Sequence, residues 1–193
     1  MILKNSATRW GAVSQALHWL IVALILVMAY LGLSMTELPN TPVKVRVYAL
    51  HKSIGLGILA LVVLRLAWRG YAGAPRALPG PRWQQRAAAL AHAALYGLLL
   101  AMPLSGWLAH SASGFPLRWF GLLRVPPLVA RNPALQDLAE RWHAALFWTL
   151  AALVLVHAAA AFWHHLFRRD ATLARMLPRG WLRVPASEES SDA

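Results

Sequence analysis

The sequence predicts an all-α integral membrane protein, a four-helix bundle with both termini in the cytoplasm. Three observations carry this. Of 193 residues, 59% are hydrophobic and only 13% charged, a balance foreign to soluble domains. Four apolar stretches are each long enough to cross a bilayer as helices. Lysine and arginine are divided unevenly between the connecting segments, which sets orientation.

The first span runs roughly from Ser14 to Ser34. It is too long for the core of a signal peptide and no small-residue cleavage site follows, so it is expected to stay as an anchor. The second runs roughly from Tyr48 to Trp68, the third from Ala87 to His110 with a kink expected at Pro103, and the fourth from Trp142 to Phe167. "TELPNTPVK" and "GAPRALPGPR" carry the turn residues of loops. Residues 1–180 form one transmembrane domain, and 181–193, ending in "ASEESSDA", form a polar tail expected to be disordered.

With the N-terminus inside, Lys4, Arg9, Arg65, Arg69, Arg76, Arg82, Arg86, Arg168, Arg169, Arg175, Arg179 and Arg183 lie on the cytoplasmic side. Lys44, Arg46, Lys52, Arg118, Arg124, Arg131 and Arg141 lie outside, offset only by Glu37, Asp137 and Glu140. That outer excess is larger than orientation alone explains. The net charge of +12 follows mostly from orientation and membrane surface potential, and no polar domain is left to bind nucleic acid. The chain has no cysteine, which excludes disulfides, thiolate-held iron–sulfur clusters and c-type haem attachment. A redox group must therefore be held by nitrogen or oxygen, and histidine is the type well placed to do it.

"RWHAALFWTLAALVLVHAAAAFWHHLFRR", residues 141–169, holds four histidines in one apolar segment. From His143 to His157 a helix advances about 21 Å and returns to within roughly 40° of its starting direction. His164 follows one heptad later on the same face. Alternating helix directions then match depths: His51 with His143 on the outer half, His18 with His157 on the inner half. Interhelical hydrogen bonding is the plainer role for one membrane histidine, but two depth-matched pairs on one face point to function. Zinc requires three or four protein ligands, and the spans offer no Asp, Glu or Cys to complete such a set. Haem iron has four equatorial nitrogens already, so two imidazoles complete it. Two b-type haems stacked across the bilayer are expected in the bundle core, with Gly55 and Gly57 leaving room for a flat macrocycle.

The other candidates keep two readings each. His92, on the inner half of the third span, competes with His18 as a ligand or bridges helices. His110 is interfacial, as is His165. His164 either sits at the interface or donates a proton to a quinone beside the inner haem. Arg65, fourteen residues after His51, either pairs with a haem propionate or snorkels to the interface.

With these residues in place, "HW" at His18–Trp19, "LHKSIGLGIL" around His51, "RWHAAL" around His143, "LVHAAAAFWHHLF" around His157 and the closing "RDATLARMLPR" resemble the landmarks of the prokaryotic cytochrome b561 family from about Ser14 to Pro178. The resemblance implies four helices in the bacterial inner membrane and two b haems. Carried over residue by residue, it gives His51 and His143 to the outer haem and His18 and His157 to the inner, leaving His92 unassigned. The nearest activity it implies is oxidation of periplasmic superoxide with reduction of ubiquinone. Lys44, Arg46, Lys52, Arg118, Arg124, Arg131 and Arg141 would then draw in the anion. Members of the wider family are electron-transfer subunits of hydrogenases and formate dehydrogenases, so a periplasmic redox protein is an alternative partner. A haem-free metal transporter is a third possibility, which the lack of membrane carboxylates opposes.

Overall fold

The structure is a computed structural model that describes residues 3–182. Four long helices dominate it: α1 (Ala12–Glu37), α2 (Pro42–Ala72), α3 (Arg82–Ser113) and α4 (Pro133–Trp163). Each is long and apolar enough to cross a membrane. Leu26, Leu64, Leu90, Leu155 and Val156 remain exposed, a costly state in water and a favourable one in lipid. Helices meet their own backbone hydrogen-bonding needs, which the bilayer core demands. Arg183 and nearly all of the polar tail lie outside the described residues.

All four helices start or end beyond the apolar stretches. The clearest case is α4, which begins at Pro133 and not near Trp142. Asn132 caps it, its Oδ1 accepting the Leu135 N–H at 3.1 Å. Pro133 occupies the first helical position, where its missing N–H costs nothing. The first two turns are polar, with Gln136 donating to Glu140 at 2.8 Å, so an apolar window overlooks them. α3 continues through Pro103.

The chain divides into two compact units, each taking a segment of all four helices. The first comprises residues up to Trp19, Arg65–Leu95 and Ala151 onward. Within it the two ends of the described chain are clasped together. The Arg9 guanidinium donates to the carbonyls of Ala174 (2.8 Å) and Leu177 (2.6 Å). Gln15 donates to Arg175 and Leu177, and the Trp19 indole to Met176 at 2.8 Å. Asn5 accepts from the Gly11 N–H and the Ser14 hydroxyl and donates to the Gly73 carbonyl at 2.7 Å. A Cβ on Gly11 would fall 2.3 Å from the Lys4 carbonyl oxygen, so only glycine lets the N-terminal segment fold back there.

The second unit comprises Leu20–Leu64 and Tyr96–Leu150. Between α3 and α4, where the apolar pattern gives only a connecting loop, it carries a small antiparallel hairpin: β1 (Leu117–Trp119) and β2 (Leu123–Val125). Arg118 stands opposite Arg124. The turn puts Phe120 at φ 48° and Gly121 at φ 74°, a primed geometry suited to strand twist. Ser53 of α2 fastens it, its hydroxyl accepting the Phe120 N–H at 2.9 Å and its carbonyl the Trp119 indole N–H at 3.0 Å.

Candidate functional site: two histidine pairs

Two histidine pairs form, and each lies within one unit. In the second unit His51 of α2 faces His143 of α4, with ring centres 6.2 Å apart and planes at 73°. In the first unit His18 of α1 faces His157 of α4, at 6.5 Å and 80°. A metal held between two imidazoles, each bonded at about 2.0 Å, sets ring centres about 6.3 Å apart. Both pairs have that width. His92 of α3 lies 5.4 Å from His157, which falls short of it. Among the described residues no group of three or more His, Cys, Asp or Glu could hold a metal ion by itself. The donor set is thus paired imidazoles alone, and it fits an iron whose remaining ligands come with a macrocycle.

The seats of His51 and His143 differ. His143 Nδ1 lies 3.0 Å from the Met102 carbonyl oxygen and 2.9 Å from the Ser105 hydroxyl. That hydroxyl itself donates to Met102 at 2.7 Å. Such contacts fix ring orientation and tautomer. The His143 ring lies against Gly106, where a Cβ would come 3.0 Å from Cε1. His51 lies against Gly32, where a Cβ would come 3.4 Å from Cε1, and its Nδ1 is buried with no hydrogen-bond partner among the described residues. Sequence reasoning singled out different glycines. A Cβ on Gly55 would make ordinary contact with Met28 at 3.5 Å, and one on Gly57 would meet nothing within 4 Å. The usable signal for Gly32 and Gly106 is a small residue in a span facing a histidine on another helix.

Arg65 belongs to the first unit. Its Nη1 donates to the Ser14 carbonyl at 2.9 Å. His164 opens a five-residue π-helical turn, His164–Arg168, and its Nδ1 meets Asp170 Oδ2 at 2.5 Å. The other Asp170 oxygen accepts the Thr172 N–H at 2.9 Å. Burial pushes the Asp170 carboxyl up, but the hydrogen bonds from His164 and Thr172 outweigh it and hold the group below the usual carboxylate range. Asp170 was not among the sequence-predicted site residues.

The seven basic residues expected outside all fall in the second unit. Lys44 donates to the Thr36 and Leu38 carbonyls at the end of α1. Lys52 Nζ lies 3.3 Å from His110 Nδ1. The Arg131 side chain runs along Gly114. Arg46, Arg118, Arg124 and Arg141 are exposed.

The sequence model of a known family, prokaryotic cytochrome b561, matches residues 9–179. The chain is 37% identical over 179 residues to cytochrome b561 homolog 2 of Escherichia coli (strain K12), covering 92% of this chain and 95% of that protein. It is 34% identical over 130 residues to cytochrome b561 homolog 1 of the same organism, covering 67% and 73%. It is also 26% identical over 174 residues to the probable superoxide oxidase CybB of Yersinia pestis, covering 89% and 97%.

Proposed function

The chain belongs to the prokaryotic cytochrome b561 family, and from that premise we propose that it oxidises periplasmic superoxide and reduces ubiquinone. It is a multi-pass protein of the bacterial inner membrane whose family carries electrons and binds haem b. The observation that carries the finer reading is the pairing of His51 with His143 and of His18 with His157 at the width of a bridging iron. These pairs would hold two b haems, which when bound supply one-electron storage.

The chain's own residues do the rest. Superoxide delivers single electrons, whereas a quinone takes two electrons and two protons, so two single-electron sites bridge the mismatch. Lys44, Arg46, Lys52, Arg118, Arg124, Arg131 and Arg141 make the second unit a positive field for an arriving anion. In this reading those seven residues face the periplasm. Arg65, in the same unit as His18 and His157, would hold a haem propionate through its planar fork. His164 delivers a proton to the quinone. The similarity to a probable superoxide oxidase supports the choice of electron donor.

The test is stopped-flow visible spectroscopy of the air-oxidised protein mixed with superoxide, with and without ubiquinone. Reduced b-haem bands that appear fast, and disappear only with quinone, are expected. Bands that ignore superoxide but respond to a quinol would overturn the reading in favour of a conduit for a periplasmic redox protein.

A further inference from the structure

In a regular helix, residues six apart point about 240° from one another, so His164 and Asp170 should not meet. The chain makes them meet by widening its last turn. The His164 carbonyl accepts the N–H groups of both Arg169 and Asp170, at 3.3 Å from the latter. Arg169 takes the left-handed conformation at φ 52°, a cost for a non-glycine residue that a local structure must offset. π-helical turns of this kind cluster at functional sites. The result returns the Asp170 carboxylate to the ring of His164, with Nδ1 2.5 Å from Oδ2.

We propose that Asp170 is a positioning residue that holds His164 as a proton donor to the quinone. The carboxylate accepts Nδ1–H and so fixes the tautomer and tilt of the ring, leaving Nε2 as the nitrogen that exchanges protons. Thr172 holds the second oxygen of Asp170 through its N–H. The pair is reachable from the bilayer, since Phe162, Trp163, Leu166 and Phe167 beside it are exposed. In the balanced step two superoxide ions lose one electron each to give two dioxygen molecules, and the quinone takes those electrons and two protons to become quinol. One proton passes from His164 Nε2 to one quinone oxygen, water reprotonates the ring, and water supplies the second proton to the other quinone oxygen. This inference rests on the quinone reading above.

The full-length protein in lipid nanodiscs provides the test, with Asp170→Asn, Asp170→Glu and His164→Gln beside wild type. Haem reduction by superoxide without quinone reads electron entry, and reoxidation by a short-chain ubiquinone reads electron exit. Asp170→Asn should leave haem content and entry unchanged and slow exit by about tenfold or more, within the range for a positioned acid. Asp170→Glu should recover part of the loss, and His164→Gln combined with Asp170→Asn should be no slower than His164→Gln alone. Ring ¹⁵N shifts of His164 should show Nδ1 protonated in wild type and mixed tautomers in Asp170→Asn. Unchanged exit in Asp170→Asn, or equal losses of entry and exit, would overturn the assignment. A wild-type protein that superoxide reduces but quinone does not reoxidise overturns the quinone reading, and the role of Asp170 with it.

Discussion

The imidazole of His143 lies flush against Gly106, where a Cβ would sit 3.0 Å from its Cε1 and 3.3 Å from Nδ1. Gly106→Ala should shift the ring by a few tenths of an ångström and alter the haem spectrum without loss of haem. Gly106→Val should expel the ring and roughly halve the haem-to-protein ratio. A pyridine haemochrome assay of both variants decides it.

The two histidine pairs separate by unit, so single ligand losses should fall into two classes. His51→Ala and His143→Ala should remove one haem, and His18→Ala and His157→Ala the other, as redox titrations would show by which potential survives. His92→Ala should keep both, because its ring is 5.4 Å from His157. Loss of a haem in His92→Ala with none in His18→Ala would reverse the assignment of α1.

Ser105→Ala removes a hydroxyl 2.9 Å from His143 Nδ1. The ring then keeps only the Met102 carbonyl as a partner and donates less density to the ferric state. The potential of one haem should rise, by at most about 60 mV, the equivalent of one net hydrogen bond in a one-electron couple. The other haem should not move.

Asp170 lies outside the spans and its carboxyl is held low by His164 and Thr172. A depressed carboxyl stabilises the fold above its unfolded pKa of about 3.9, and the contribution disappears as pH falls through the lower folded value. Thermal unfolding in detergent should therefore show wild type losing its advantage over Asp170→Asn below about pH 4. A gap that widens on acidification would contradict the sign.

Arg118 and Arg124 face each other across the hairpin, and neither forms an ion pair among the described residues. Replacing both with glutamate should slow haem reduction by superoxide several-fold at low salt, with the difference shrinking as the Debye length falls below about 8 Å. The rate of reoxidation by quinone should be untouched.

Hydropathy made the four helices legible, and heptad spacing along α4 made the histidine pairs legible, because both are periodic properties of one chain segment. The helix ends were not, since the polar turns from Pro133 to Arg141 look like loop to an apolar window. The hairpin was missed because three-residue strands carry no alternation long enough to read, and its fastening to Ser53 is a contact 66 and 67 residues away. Asp170 was missed for a sharper reason. Its spacing from His164 has no helical meaning until the turn between them widens.

The clasp between the chain's ends has a consequence for biosynthesis. His18 leaves the ribosome early and His157 comes 139 residues later, a gap on the order of ten seconds at bacterial elongation rates. Arg9, Gln15 and Trp19 cannot reach Ala174–Leu177 until those residues have been made. The His18–His157 pair therefore closes after the His51–His143 pair, and in the proposed reading a haem held there would join a chain already threaded through the membrane. A truncation before Ala174 should leave α1 untethered and that pair the first to lose its iron.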